Sequence, residues 1–253
     1  GTQGVPRGTI KALRIFAYEY AYILAPSDHD AQGIQSGWDI KRILGTVPVE
    51  EDGSALFTIP ANTPISIQPL DKDGAAIQWM RSWLTGMPGE IVSCVGCHED
   101  QNSIPIPKRT IASAKQARRL ETPEGGVRPF TFRLEVQPVL DRNCVSCHNG
   151  KNAEPDFRKD QMVTYKRGIL TKINKQYDPY VYRQGPESDI YVLKPAEFHA
   201  SNSELIRILQ AGHHGVEVPE EDMRTLYAWI DLNAPYYGAV SYTHLTLPTS
   251  DLV

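Results

Sequence analysis

The chain has 253 residues, 30 acidic against 26 basic side chains, a formal net charge of -4 and a mean hydropathy of -0.37. That length buries a real core in one or two domains. The negative balance argues against a broad basic face for nucleic acid, and no apolar run is long enough to span a membrane.

Residues 1–93 read as β structure. "TIKALRIFAYEYAY" is rich in the aromatic and β-branched residues that fit a pleated surface. "APSDHDAQGIQSG" is a polar loop. "GTVPVEEDGSALFTIPA" predicts a hairpin turning at Asp52-Gly53, and "ISIQPLDKDGAAIQWMRS" repeats the device at Asp73-Gly74. Two hairpins with prolines at strand edges predict a small β-sandwich. Residues 94–127 carry "CVGCHEDQNSIPIP" and then a basic, Gly/Pro-rich linker. Residues 128–239 read as helical: Phe132, Val136, Val139 and Leu140 sit at helical spacing before "CVSCHNG". "SNSELIRILQAG" offers a Ser201-x-x-Glu204 capping box and a Gly212 stop. "PEEDMRTLYAWIDLNAP" opens on Pro219 and acids suited to a helix start, with Met223, Leu226, Tyr227 and Ile230 on one stripe. The fold expected is therefore α+β, a β-sandwich-like domain followed by an α-helical cytochrome c-type domain.

The chain is expected to be a fragment with a non-native tail. The chain starts at Gly1 without a basic-then-apolar leader, as a fragment of a longer precursor would. "VSYTHLTLPT" reads like the translated read-through of a sequencing adaptor, so residues 240–253, His244 included, are expected to be non-native.

All four cysteines fall in two Cys-x-x-Cys-His motifs: Cys94, Cys97 and His98, then Cys144, Cys147 and His148. Two thiols at this spacing can add to the two vinyl groups of one haem, and the following His can ligate its iron. Two covalently attached haem c groups are the expected cofactors. A zinc ribbon would need a shorter gap than Cys97 to Cys144 and leaves the histidines unexplained. A thioredoxin-like dithiol expects one motif beside a βαβ unit, and structural disulfides would make the repeated His coincidental. Maturation of such haems outside the cytoplasm implies a periplasmic or exported protein.

The occupant of each second axial position separates electron transfer from reaction at iron. For the second haem, His213 or His214 in "AGHHGV" is the candidate distal ligand, with His199 weaker and Met162 the remaining soft donor. Two imidazoles would set a low potential. The first haem has no obvious distal ligand. Met80 reads as core, Met87 lies in a turn, and His29 reads as a solvated loop residue. Adjacent Asp28, His29 and Asp30 diverge too much to form a metal cluster. That leaves the first iron as the candidate open or reactive site.

"VPVEEDGSALFTIPANTPISIQPLDKDGAAIQWMRSWLTGMPGEIVSCVGCHE" resembles the middle domain of the hydrazine synthase alpha subunit family. "SELIRILQAGHHGV" and "YAWIDLNAPYYG" resemble that family's C-terminal cytochrome segment, so the likeness spans most of residues 4–238. It implies a parent with a further N-terminal region, a catalytic haem at the first motif joining hydroxylamine to ammonia, and a second haem relaying electrons. It also implies that His213 or His214 caps the second haem. The family places a Tyr iron ligand four residues after the first motif His and turns that His toward zinc. Here Asn102 stands at that position and no further cysteine remains, so ligation by His98 is expected.

The expected function is a dihaem c-type cytochrome that transfers electrons, its first haem an open redox site, with a redox protein as partner. The alternatives are a haem enzyme acting on small nitrogen species and a dihaem peroxidase. The last usually pairs two all-helical domains, unlike the strand-rich first half here.

Overall fold

The computed structural model describes residue 2 and residues 4–19, 40–80, 82–96, 108–158, 194–197, 199–232 and 234–235. Cys97, His98, Asn102, His29 with its flanking acids, Met162 and residues 240–253 lie outside them.

The β-rich half is built on one antiparallel sheet in the order β2-β1-β3, with β1 Ala12–Glu19, β2 Ile40–Pro48 and β3 Ile65–Leu70. Strand β1 is central, and the two-residue period of its side chains divides its apolar residues between two clusters. Ile15 and Ala17 enter one cluster with Leu44, Val47 and Ile65. Phe16 enters the other, which consists chiefly of helical residues. Both turns expected from Asp-Gly form. Gly53 N–H bonds the Glu50 carbonyl at 2.8 Å with φ 82°, and Asp71 N–H bonds the Ala75 carbonyl at 2.9 Å.

The two facing sheets of a sandwich are not found among the described residues. The far face of the sheet is closed instead by irregular chain, through Phe57, Ile59, Leu84 and Leu120. After the Asp52-Gly53 turn the chain does not return along β2. Phe57 bridges in parallel to Arg118. Part of the stretch read as a linker runs along the free edge of β2. Thr46 exchanges backbone hydrogen bonds with Glu121 at 2.9 and 2.8 Å, and Phe130 N–H reaches the Lys41 carbonyl at 2.9 Å. Covering the edge satisfies its orphan amides.

The second half begins with a π-helical turn, Phe132–Val136, capped by Thr131, which runs into α1, Gln137–Asn143. Helix α2, Glu204–Gln210, is capped by the Ser203 hydroxyl accepting from the Ile206 N–H at 3.2 Å. Ser201, expected as the cap, lies two residues too early, in a 3-10 turn over Ala200–Asn202. Helix α3, Glu220–Asp231, opens after Pro219 with Glu220, Glu221 and Asp222 in its first turn. Leu226, Tyr227 and Ile230 are buried as the stripe predicts, and so are Ala228 and Trp229, because the end of α3 is enclosed on all sides.

The halves join through a buried polar contact centred on Asp231. Its carboxylate accepts from Ala76 N–H at 2.7 Å and Ala200 N–H at 2.8 Å, and lies 3.8 Å from the Arg14 guanidinium. Gln68 Nε2 donates to the Asp231 carbonyl at 2.6 Å, and Lys41 Nζ to that of Leu232 at 3.2 Å. Among the described residues no helix is long and apolar enough to cross a membrane.

Candidate functional site

The second motif occupies the turn that ends α1. Cys144 N–H bonds the Leu140 carbonyl at 2.8 Å, Cys147 N–H the Cys144 carbonyl at 3.1 Å, and His148 N–H the same carbonyl at 2.9 Å. Helix-like winding puts residues three and four apart on one side, so Cys144, Cys147 and His148 share a face. Cys144 is half-buried and Cys147 exposed. Burial, with Asp222 adding, pushes the Cys144 thiol up to about 11, so it is protonated at neutral pH.

His148 is held by the loop that follows it. Its Nδ1 lies 3.2 Å from the Pro155 carbonyl, which only accepts, so Nδ1 carries the proton and Nε2 keeps its lone pair. Phe157 N–H bonds the His148 carbonyl at 3.0 Å, and the two rings lie 4.8 Å apart.

Across from His148 stands His213, its ring centre 5.9 Å away and its plane 22° from parallel. His213 arrives there because α2 stops at Gly212, whose φ of 85° reverses the chain where a side chain would be strained. His214 is exposed, has a left-handed φ of 49°, and lies edge-on to His213 at 4.6 Å. Partial burial first, then the neighbouring His214 and His148, hold the pKa of His213 below its usual value.

These residues fit a covalent haem. Cys144 and Cys147 would hold the porphyrin, and His148 and His213 are the imidazoles at hand for its iron. The His148 and His213 ring centres lie 5.9 Å apart with planes 22° from parallel, beside the turn that carries Cys144 and Cys147.

His199 is placed elsewhere. It is buried against Trp79, with ring centres 5.3 Å apart. Among the described residues neither ring nitrogen has a hydrogen-bond partner of good geometry, and burial lowers its pKa to about 4 against a small opposing pull from the Gln78 backbone. It is a neutral core residue.

Of the first motif, Cys94 is described and is exposed on irregular chain, with Ile91, Val92 and Val95 also exposed. Met87 is exposed in a turn in which its N–H bonds the Glu90 carboxylate at 2.7 Å, and Met80 is half-buried. Among the described residues no group of three or more His, Cys, Asp or Glu could hold a metal ion. Sequence reasoning missed Pro155, Phe157 and Gln137, which arrange His148. The one visible signal was a polar residue, Gln137, inside an otherwise apolar helical stripe.

Residues 8–99 match the family model described as the hydrazine synthase alpha subunit middle domain. The resemblance read from the sequence is borne out there. Among solved structures, Kuenenia stuttgartiensis hydrazine synthase is similar over 93% of this chain and 40% of that one, with 18% identity and a TM-score of 0.54. At that identity the likeness is one of fold, and this chain spans well under half of that chain. No curated protein matches.

Proposed function

We propose, from the match of residues 8–99 to the hydrazine synthase alpha subunit middle domain and from the two Cys-x-x-Cys-His motifs, that this chain is a dihaem c-type redox protein whose second haem transfers electrons. The observation that carries the proposal is the pairing of His148 and His213 at 5.9 Å beside the cysteines of one turn. Residues 128–239 would then form a c-type cytochrome unit. Cys144 and Cys147 would anchor the porphyrin, and His148 and His213 would ligate its iron. A haem ligated on both sides supplies one-electron transfer rather than binding of a substrate.

The chain's own groups suit that task. The Pro155 carbonyl keeps the His148 proton on Nδ1 and orients the ring. Phe157, 5% exposed, excludes water from one side of it. Rigid packing at the end of α1 limits rearrangement when charge arrives.

The second part of the proposal concerns the first motif. Cys94, Cys97 and His98 would hold a haem whose other face is open to a small nitrogen species, fed with electrons through the second haem. The exposed chain around Cys94 and the family match support it. An exported location and a separate redox partner follow from covalent haem chemistry and are part of the same reading.

The test is expression in a host competent for cytochrome maturation. Two haems per chain should survive acid–acetone extraction, and carbon monoxide should bind the reduced protein at one of them. His213→Ala should turn one low-spin iron high-spin, whereas His214→Ala should leave both spin states as they were. A colourless extracted chain ends the proposal. A high-spin His214→Ala with an unchanged His213→Ala reverses the ligand assignment.

A further inference from the structure

We propose that Gln137 is a positioning residue for His148, acting through the loop 149–157 to set the redox equilibrium of the second haem; this rests on the haem reading above. Gln137 sits at the start of α1, the helix that leads into the motif of His148, and is 3% exposed. A buried amide needs partners for both N–H groups. Gln137 Nε2 donates to the Phe157 carbonyl at 2.9 Å and to Asp141 Oδ1 at 2.8 Å.

The first of these bonds closes a clasp. Gln137 holds the Phe157 carbonyl, and the Phe157 N–H holds the His148 carbonyl at 3.0 Å. The Phe157 ring lies 4.8 Å from the imidazole. Two residues before Phe157, the Pro155 carbonyl accepts the Nδ1 proton of His148 at 3.2 Å. The loop between them is tightened further by Asn149 Oδ1, which accepts from the N–H groups of Lys151 at 3.0 Å and Asn152 at 3.1 Å. One amide thus fixes the far end of the loop whose carbonyl polarises the ligand.

The consequence for the iron is directional. A hydrogen bond from Nδ1 to a carbonyl makes the imidazole more basic at Nε2. A more basic ligand favours ferric over ferrous iron and lowers the potential. Loosening the clasp lengthens that bond and shifts the equilibrium toward reduction. No proton is transferred; the group changes only the donor strength of His148.

Gln137→Met keeps the volume and removes both donors. In the haem-loaded protein, one of the two steps of a reductive titration should move toward easier reduction by about tenfold, or about 59 mV for one electron. The other step should stay in place, and the low-spin spectrum should be retained. If Gln137→Met does not mature, Gln137→Leu removes the same Nε2 donor with a different side-chain shape and should move the same step in the same direction. A fully haem-loaded, low-spin variant in which both steps stay within twofold of the parent overturns the role of Gln137. A parent chain without covalent haem instead overturns the reading beneath it.

Discussion

At the residue scale, four of the described positions at which sequence logic offered a haem ligand or its alternatives resolve by burial and backbone geometry. His148 is held by Pro155 and Phe157, His213 faces it, His214 is turned aside on a left-handed backbone, and His199 is sealed in the core. The burial of His199 has a pH signature. Its folded pKa, lowered to about 4 from a usual value near 6.5, means that the folded state prefers the neutral ring. Stability is then complete above about pH 6.5 and is lost as pH falls toward 4, by up to about 3 kcal/mol. Asp231 acts in the opposite sense. Burial raises its carboxyl to about 6 against Arg14 and two amides, so its contribution is fullest in acid and is lost as pH rises from about 4 to 6. The two slopes oppose each other in the parent. His199→Phe should remove the His199 share, so that, relative to the parent, urea midpoints measured from pH 4 to pH 6 gain toward the acid end. Identical pH profiles for parent and variant would remove His199 from this account.

At the element scale, β2 depends on a close approach that only glycine permits. The pairing of β1 with β2 shifts register between Ile15 and Phe16, which face Gly45 and Ile43 and leave Leu44 as the extra residue of a bulge. Gly45, beside the bulge, has φ of 153°, and a Cβ there would stand 2.5 Å from the Glu121 carbonyl oxygen and 2.9 Å from Leu120 Cβ. The obstacle is mainly backbone, and the segment it would displace is the one that covers the β2 edge through Thr46. Gly45→Ala should therefore cost about 1–3 kcal/mol and raise amide exchange at Thr46 and Glu121 in particular. A variant of parental stability with those amides still protected would show that the strap yields easily. The sheet and its Asp-Gly turns were legible in the sequence, because β-branched runs and positive-φ glycines are local signals. The strap was not, because a basic, Pro/Gly-rich segment has the composition of a linker whether or not it lies along an edge.

At the scale of the whole molecule, the strand-rich and helical halves share a core. Phe16 and Ala75 from the first half pack in the same cluster as Phe132, Ile206, Leu226 and Trp229 from the second. Arg14, Gln68 and Lys41 reach from the sheet to the end of α3. Arg14 also donates to Gln68 Oε1 at 3.0 Å and the Gly74 carbonyl at 2.9 Å, but its only described ion-pair partner is Asp231. Removing one member of a buried pair leaves the other charge uncompensated. Asp231→Asn should cost about 1–3 kcal/mol, a sizeable share of the roughly 5–15 kcal/mol by which a domain is stable, because one of the Ala76 and Ala200 N–H groups that the two carboxylate oxygens accept from would then meet an amide nitrogen. Denaturant midpoints at neutral pH check this, and a loss below about 1 kcal/mol would mean that the pair does not hold the sheet to α3.

The sequence alone determined the chemistry on offer: two Cys-x-x-Cys-His motifs, a tandem His after a helix stop, an α+β order of elements and a family likeness across residues 8–99. These are readable because thiol spacing, helical period and turn glycines act over a few residues. Only the tertiary structure decided that His213 rather than His214 faces His148, that His199 lies in the core, and that Gln137 anchors the loop behind His148. Those outcomes depend on which distant surfaces meet, and the free energy of burial that selects them leaves no periodic mark along the chain.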